Sequence, residues 1–243
     1  MHGTDCANCP LRIMPLFIAF TPDELAFMRQ FKMREEVFRR NEVILYEGAR
    51  SPMLYTILSG MGTRSVLLED GRRQVINFVF PGDFIGLQSS LMGEMKHTVT
   101  ATSDVTLCVF DRAKLWDMFR NHASRAYDLT WIAAVEEHFL GETIATLGQR
   151  DASERLAWAF LRIWRRLSAV GLLQDGSVPL PFRQQDIADA LGLSLVHTNK
   201  TVARIRSLGL ATWQNGRLSI PSTAHLAAAA GVTDHYEEKR PIL

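Results

Sequence analysis

Residues suited to recognising another molecule concentrate in the stretch 182–220. Asn199 can pair its amide with an adenine edge and Lys200 can reach guanine or a phosphate, so a helix presenting both on one face suits a DNA major groove. The neighbouring residues predict that helix. Residues 184–191 read as a short helix with Ile187, Ala188 and Leu191 inward; Gly192 ends it in a left-handed turn, and Ser194 caps a second helix reaching about Leu208. Val202, Ile205 and Leu208 are the expected inner face of the second helix, with Val196, Asn199, Lys200 and Arg206 outside. Asn215-Gly216, flanked by 210–214 and 217–220, is a hairpin signal that adds a wing. Helix, glycine turn, helix and wing in that order point to DNA binding rather than to a helical hairpin with a solvated polar face. His197 either touches phosphate or packs beside the preceding helix, and packing is the expectation.

Three cysteines, Cys6, Cys9 and Cys108, are an odd set that does not close a disulfide framework and is typical of a reducing compartment. The seven histidines include no His-x-His on a predicted strand, so a facial metal triad is not assembled. No nucleophile and base pairing stands out either. A cupin-like, metal-dependent enzyme with an accessory helical domain is therefore the alternative reading, not the leading one. With 27 basic and 26 acidic residues the net charge is +1, so any surface for a polyanion must be local. No apolar run approaches the ~20 residues of a membrane span, and no basic segment followed by an apolar one opens the chain. A cytoplasmic location without membrane contact is expected.

These residues need elements to position them, and 243 residues suffice for two domains of roughly 100 to 150. Thr21-Pro22-Asp23-Glu24 should open a helix whose buried face is Leu25, Met28 and Phe31. Short apolar runs at 43–46, 54–58 and 75–80 read as strands. Glycines 48, 60, 71 and 82 punctuate them, as tight turns of positive φ in an antiparallel roll require, with an ordinary non-binding sandwich as the alternative. Beyond Arg112 the pattern turns helical. Ile132, Val135, Phe139, Leu140, Ile144 and Leu147 form a broad stripe that can bury one edge on the roll and the other on a partner copy, or one face on its own core. Asp151 should cap a further helix carrying Leu156, Phe160, Ile163 and Leu167. The expected divisions are a cysteine-containing segment 1–20, a roll 21–122, a long helix 123–150, a winged domain 151–222 and an extension 223–243. No periodicity is visible past Thr233.

Three motifs, Tyr55-Thr-Ile-Leu-Ser-Gly60, Pro81-Gly-Asp-Phe-Ile-Gly86 and Asp186-Ile-Ala-Asp-Ala-Leu-Gly-Leu-Ser194, make the chain resemble the Crp/Fnr superfamily of bacterial transcription regulators. The resemblance implies an α+β chain: an antiparallel β-roll like the cyclic-nucleotide-binding jelly roll, a long dimerisation helix and a C-terminal winged helix-turn-helix. It implies a non-enzymatic homodimer on a two-fold operator in double-stranded DNA, with RNA polymerase as a further partner if it activates. Ser194, Leu195, Val196, His197, Asn199 and Lys200 become the expected DNA contacts. Relatives often carry glutamate, serine or glycine, and arginine where Val196, Asn199 and Lys200 stand, so a different half-site is expected.

The effector pocket implied by the resemblance is degenerate here, comprising Gly86, Leu87, His97 and Thr98. Leu87 replaces a ribose-binding glutamate, and His97 replaces an arginine that clasps the cyclic phosphate. Control by redox state, a gas or a small molecule, rather than by cyclic AMP, is expected. In oxygen-sensing relatives, cysteines at the positions of Cys6, Cys9 and Cys108 hold an iron-sulfur cluster. Pro15 occupies the place of the remaining N-terminal ligand, so a cluster would need a noncysteine ligand or water. A dithiol switch, a zinc site and inert cysteines stay open as alternatives.

Overall fold

Thr21 opens the first helix as its residue type requires. Its hydroxyl accepts from Glu24 N at 3.3 Å, the Glu24 carboxylate accepts from Thr21 N at 2.8 Å, and Pro22 takes the first helical position. The computed structural model describes residues 3–234 and 239–243. Helix α1 (Pro22–Phe31) buries Phe27, Met28 and Phe31. Leu25 is only half-buried, so the inner face is rotated towards Phe27 from the one expected.

The chain divides into two units: Met1–Gly71 with Ile76–Glu137 and Lys239–Leu243, and Arg72–Val75 with His138–Glu238. After α1 come β1 (Lys32–Phe38), β2 (Val43–Leu45), β3 (Met53–Ser59), β4 (Gly62–Leu67), β5 (Arg73–Val79) and β6 (Phe84–Ile85). A short α2 (Leu87–Met92) precedes β7 (Thr98–Ala101) and β8 (Val105–Asp111), followed by α3 (Leu115–Asn121). The strands form two four-stranded sheets, ordered β1-β8-β3-β6 and β2-β7-β4-β5. Ile57, Leu107 and Val109 from the first sheet and Val79, Val99 and Ala101 from the second share one apolar core, which makes the antiparallel roll.

Alternation along β8 decides what lies behind that core. Val105, Leu107 and Val109 point into the roll, so Cys108 and Phe110 point to the opposite face. There Phe110 stacks on Phe31 of α1 at 4.9 Å between ring centroids. Gly48, Gly60, Gly71 and Gly82 all have positive φ. At Gly60 the need is double: φ is +87°, and a Cβ would stand 2.2 Å from the Asp104 backbone oxygen.

Helix α4 (Ala123–Gln149) is continuous over 27 residues. The broad stripe read in its sequence separates in two: Ile132 is buried, whereas Leu140 and Ile144 are exposed. In the second unit α5 (Ala152–Ala169) starts at an Asp151 capping box with Glu154 and buries Leu156, Phe160, Ile163 and Leu167. A two-residue β9 (Val178–Pro179) precedes α6 (Gln184–Leu191), α7 (Leu195–Ser207), β10 (Thr212–Gln214), β11 (Arg217–Ser219) and α8 (Thr223–Ala229). Asn215 and Gly216 both have positive φ, as a primed hairpin turn demands, and β9 adds a third strand to the wing. Leu226 and Ala227 of α8 are buried, so the extension contributes to the core.

Gly60→Ala should destabilise the roll by at least about 2 kcal/mol, since the left-handed backbone and a backbone clash act together. Urea denaturation at neutral pH measures the loss.

Candidate nucleic-acid interface and sensor pocket

Helix α7 is set by its first turn. Ser194 adopts an extended conformation, and its hydroxyl accepts from His197 N at 3.2 Å. Thr198 and Thr201 donate their hydroxyls to the carbonyls of Ser194 and His197 at 3.1 and 2.8 Å. Those two threonines, with Ile205, are the buried face of α7. Val202 is half-buried and Leu208 is 60% exposed, which corrects two of the three inner residues expected from sequence. The physical reason is the satisfied hydroxyl: a threonine that bonds back within the helix can be buried like an aliphatic residue.

The opposite face is open. Leu195, Val196, His197, Asn199 and Lys200 are all exposed, Val196 at 65%. Exposure of His197 overturns the expectation that it packs beside α6. Among the described residues Lys200, Arg204 and Arg206 form no ion pair, so their charges remain available to an anion. Gly192 turns the chain at φ +63°, and Arg155 of α5 donates to the Leu191 carbonyl at 3.2 Å, tying the end of α6 to α5. Asp186 is buried at the start of α6. Burial opposes its ionisation, but hydrogen bonds from Arg73 and Arg183 hold the carboxyl below the ordinary range. Trp213 on the wing meets Phe160 of α5 edge-on at 5.9 Å. Arg155, Thr198 and Thr201 were not singled out in the sequence; a threonine three residues before another, behind a serine cap, is the only local signal for two of them.

In the first unit Gly86 and Leu87 stand at the start of α2, and His97 and Thr98 stand where β7 begins. Gly86 is the N-cap of α2 at φ +94°, and half-buried Leu87 is the first residue of that helix. The Thr98 hydroxyl accepts from Glu47 N at 3.2 Å. His97 is buried, and its Nδ1 has no hydrogen-bond partner among the described residues. Burial first, and the Arg64 charge second, bring its pKa down to about 4, so the ring is neutral at pH 7. Arg64 carries no signal in the sequence. Its guanidinium pairs with Glu136 of α4 at 2.9 Å and donates to the Phe84 carbonyl at 3.1 Å.

The three cysteines converge. Cys6, Cys9 and Cys108 line one cavity of about 30 Å³, together with Thr56, Ile242 and Leu243. The arm carrying the first two is pinned: Arg12 donates to the carbonyls of Cys6 and Ala7, both at 3.0 Å, and Lys32 donates to Thr4 O at 2.6 Å. Burial pushes the Cys6 thiol up and the Cys108 thiol up to about 12, although the ammonium of Lys32 opposes both. An iron-sulfur cluster or a zinc ion requires thiolates at ligand spacing. Among the described residues no three His, Cys, Asp or Glu side chains are placed to hold a metal ion. The residues as arranged, with burial holding the Cys6 and Cys108 thiols protonated around so small a space, do not fit either group.

A neutral buried His97 makes stability depend on pH. Unfolded, the ring takes up a proton near pH 6.5; folded, only near 4, so stability is full above 6.5 and is lost as the pH falls through that interval. The loss between pH 7 and pH 5 should be about 2 kcal/mol larger in the wild type than in His97→Gln, measured by urea denaturation at both values.

Comparison with known proteins agrees with this geometry. A cyclic nucleotide-binding domain family matches residues 35–122, and a Crp-like helix-turn-helix domain family matches residues 154–229. The nitrogen fixation regulation protein FixK of Bradyrhizobium diazoefficiens is 31% identical over 94% of this chain and 95% of its own. The transcriptional activator protein FnrL of Cereibacter sphaeroides is 26% identical, over 93% and 92%. Among solved structures, FixK2 from Bradyrhizobium japonicum superposes with a TM-score of 0.71 at 26% identity, covering 83% of this chain and 97% of that one.

Proposed function

The chain belongs to the Crp/Fnr superfamily of transcription regulators, and from that premise we propose that it acts as a homodimer whose α7 helices read a two-fold operator, under control of thiol chemistry in the roll. Its helix-turn-helix is a DNA-binding domain of the Crp type. The observation that carries the proposal is the outer face of α7. Asn199 and Lys200 stand exposed one turn beyond the Ser194 cap, with Val196 beside them and the uncommitted cations of Arg204 and Arg206 farther along. In a major groove this face offers an amide for adenine, an ammonium for guanine or phosphate, and an apolar contact for a thymine methyl. The cap end, with Leu195 and His197, meets the phosphate backbone, where helix N-termini favour anions.

Dimerisation is supported by α4. Tyr127, Ala134, Gly141 and Gly148 are exposed at seven-residue spacing, and Leu140 and Ile144 flank them, Ile144 at 71% exposure. A seam of that period, with small residues that let backbones approach, suits a parallel copy of the same helix. Two copies then place their recognition helices in successive major grooves, as the family does.

Cyclic AMP is not the effector in this reading. A neutral, buried His97 cannot replace a guanidinium fork on a cyclic phosphate, and Leu87 cannot accept a hydrogen bond from a ribose hydroxyl. The convergence of Cys6, Cys9 and Cys108 instead supports redox state, a gas or a small thiol-reactive molecule. RNA polymerase is the further partner if the protein activates. No helix among the described residues is long and apolar enough to cross a membrane.

The double variant Asn199→Ala/Lys200→Ala should lose at least about 100-fold in affinity for an operator selected from random DNA, whereas Lys200→Ala alone lowers the slope of log affinity against log salt by about 1 per protomer. Gel shift across a salt series reads both, and unchanged retention of the operator by the double variant would refute the assignment. Ile144→Asp should convert dimer to monomer in sedimentation velocity, because two carboxylates would face each other across a dehydrated seam.

A further inference from the structure

The segment Lys239–Leu243 belongs to the first unit although everything described from His138 to Asp234 belongs to the second. It is built into the sensor fold in four places. Arg240 N donates to the Leu16 carbonyl at 2.8 Å, and Ile18 N donates to the Arg240 carbonyl at 2.9 Å, a parallel bridge on the arm that carries Cys6 and Cys9. The Arg240 guanidinium pairs with Asp83 at 3.4 Å. Ile242 O accepts from Arg125 at 3.4 Å, and Leu243 O accepts from the Thr56 hydroxyl. Ile242 and Leu243 are each only 4% exposed, and both line the cavity of the three cysteines.

Thr56 stands opposite Cys108 in the β3–β8 register, so the Leu243 carbonyl is held on the strand neighbour of the buried thiol. Two aliphatic side chains of the same chain thus form part of the wall of the small cavity on which Cys108 opens.

We propose that Lys239–Leu243 is a latch that closes the three-thiol pocket, so that access to Cys108 and docking of the latch exclude one another. The inference rests on the thiol pocket being the sensing site of the proposed function, and it adds what the sensing event displaces. A reagent reaching Cys108 must first lift Ile242 and Leu243, and lifting them frees one of the four places where the chain passes between its units, the one before Lys239. The latch also shares its bridge with the cysteine arm, so a movement of Cys6 or Cys9 reaches Arg240 through Leu16 and Ile18.

The test uses the full chain carrying Ile242→Ser/Leu243→Ser, with 5,5′-dithiobis(2-nitrobenzoate) as the thiol probe and peptide mass spectrometry to follow Cys108. The expected result is at least tenfold faster modification of Cys108 than in the wild type; rates within twofold of each other overturn the latch. Hydrogen exchange separates undocking from general loosening. The Ile18 amide should exchange at least tenfold faster in the variant while the β8 amides keep their protection, and equal acceleration in β8 also overturns the proposal. Gel shift of the modified wild type addresses the underlying reading separately. Faster labelling with no change in operator affinity would sink thiol control of DNA binding and leave the latch standing, whereas equal labelling with altered affinity would do the reverse.

Discussion

Strand β8 joins two environments that share nothing but its backbone. Its odd-numbered residues, Val105, Leu107 and Val109, are fully buried between the two sheets, and their burial locks the register of β8 against β1 on one side and β3 on the other. A slip of one residue would turn Cys108 into the apolar core and Leu107 out towards the cysteine arm. Because such a slip forfeits several fully buried aliphatic chains, each contributing roughly 1.5–3 kcal/mol, the position of the Cys108 thiol is held by groups that never touch it. The stacked rings of Phe110 and Phe31 then hold α1 against the same face, and α1 provides the Met28 carbonyl to which the Cys6 thiol donates at 3.7 Å.

Charge has a quieter role in this unit. Arg64 is buried near His97, adds its charge to the burial that keeps that ring neutral, and joins β4 to α4 through Glu136, which also accepts from Asn77 at 3.2 Å. A buried guanidinium with two acceptors is held far more tightly than an exposed pair, since losing either partner would leave an uncompensated charge out of water. Through Arg64 the surroundings of His97 are therefore connected to α4.

The second unit solves a different problem, holding one helix outward. A short helix presented to solvent must be fastened on its inner side, and α7 does this with threonine hydroxyls that satisfy themselves on backbone carbonyls and with Ile205. Polar residues thereby occupy a core-facing position at little cost, and the outer face is left unconstrained by packing. Arg155 and the Trp213–Phe160 contact fix the turn and the wing to α5, so the exposed face of α7 sits on rigid elements.

Local chemistry made the helix starts legible in the sequence. Thr21, Asp151 and Ser194 cap helices because their side chains reach orphan amides a few residues away, and Gly60, Gly192 and Asn215-Gly216 mark turns because left-handed backbone is a property of the residue itself. The outer face of α7, with Asn199 and Lys200, followed from helical period alone. What the sequence left undecided was every feature made by residues distant along the chain: which threonines replace Val202 and Leu208 inside, the third wing strand at Val178, the burial of α8 and the pairing of Arg64 with Glu136. The convergence of Cys6, Cys9 and Cys108 with Ile242 and Leu243 is the extreme case, since it joins both ends of the sequence and its middle in one cavity. Periodicity reports the solvent on either side of a single element; only packing in three dimensions decides which elements share a cavity.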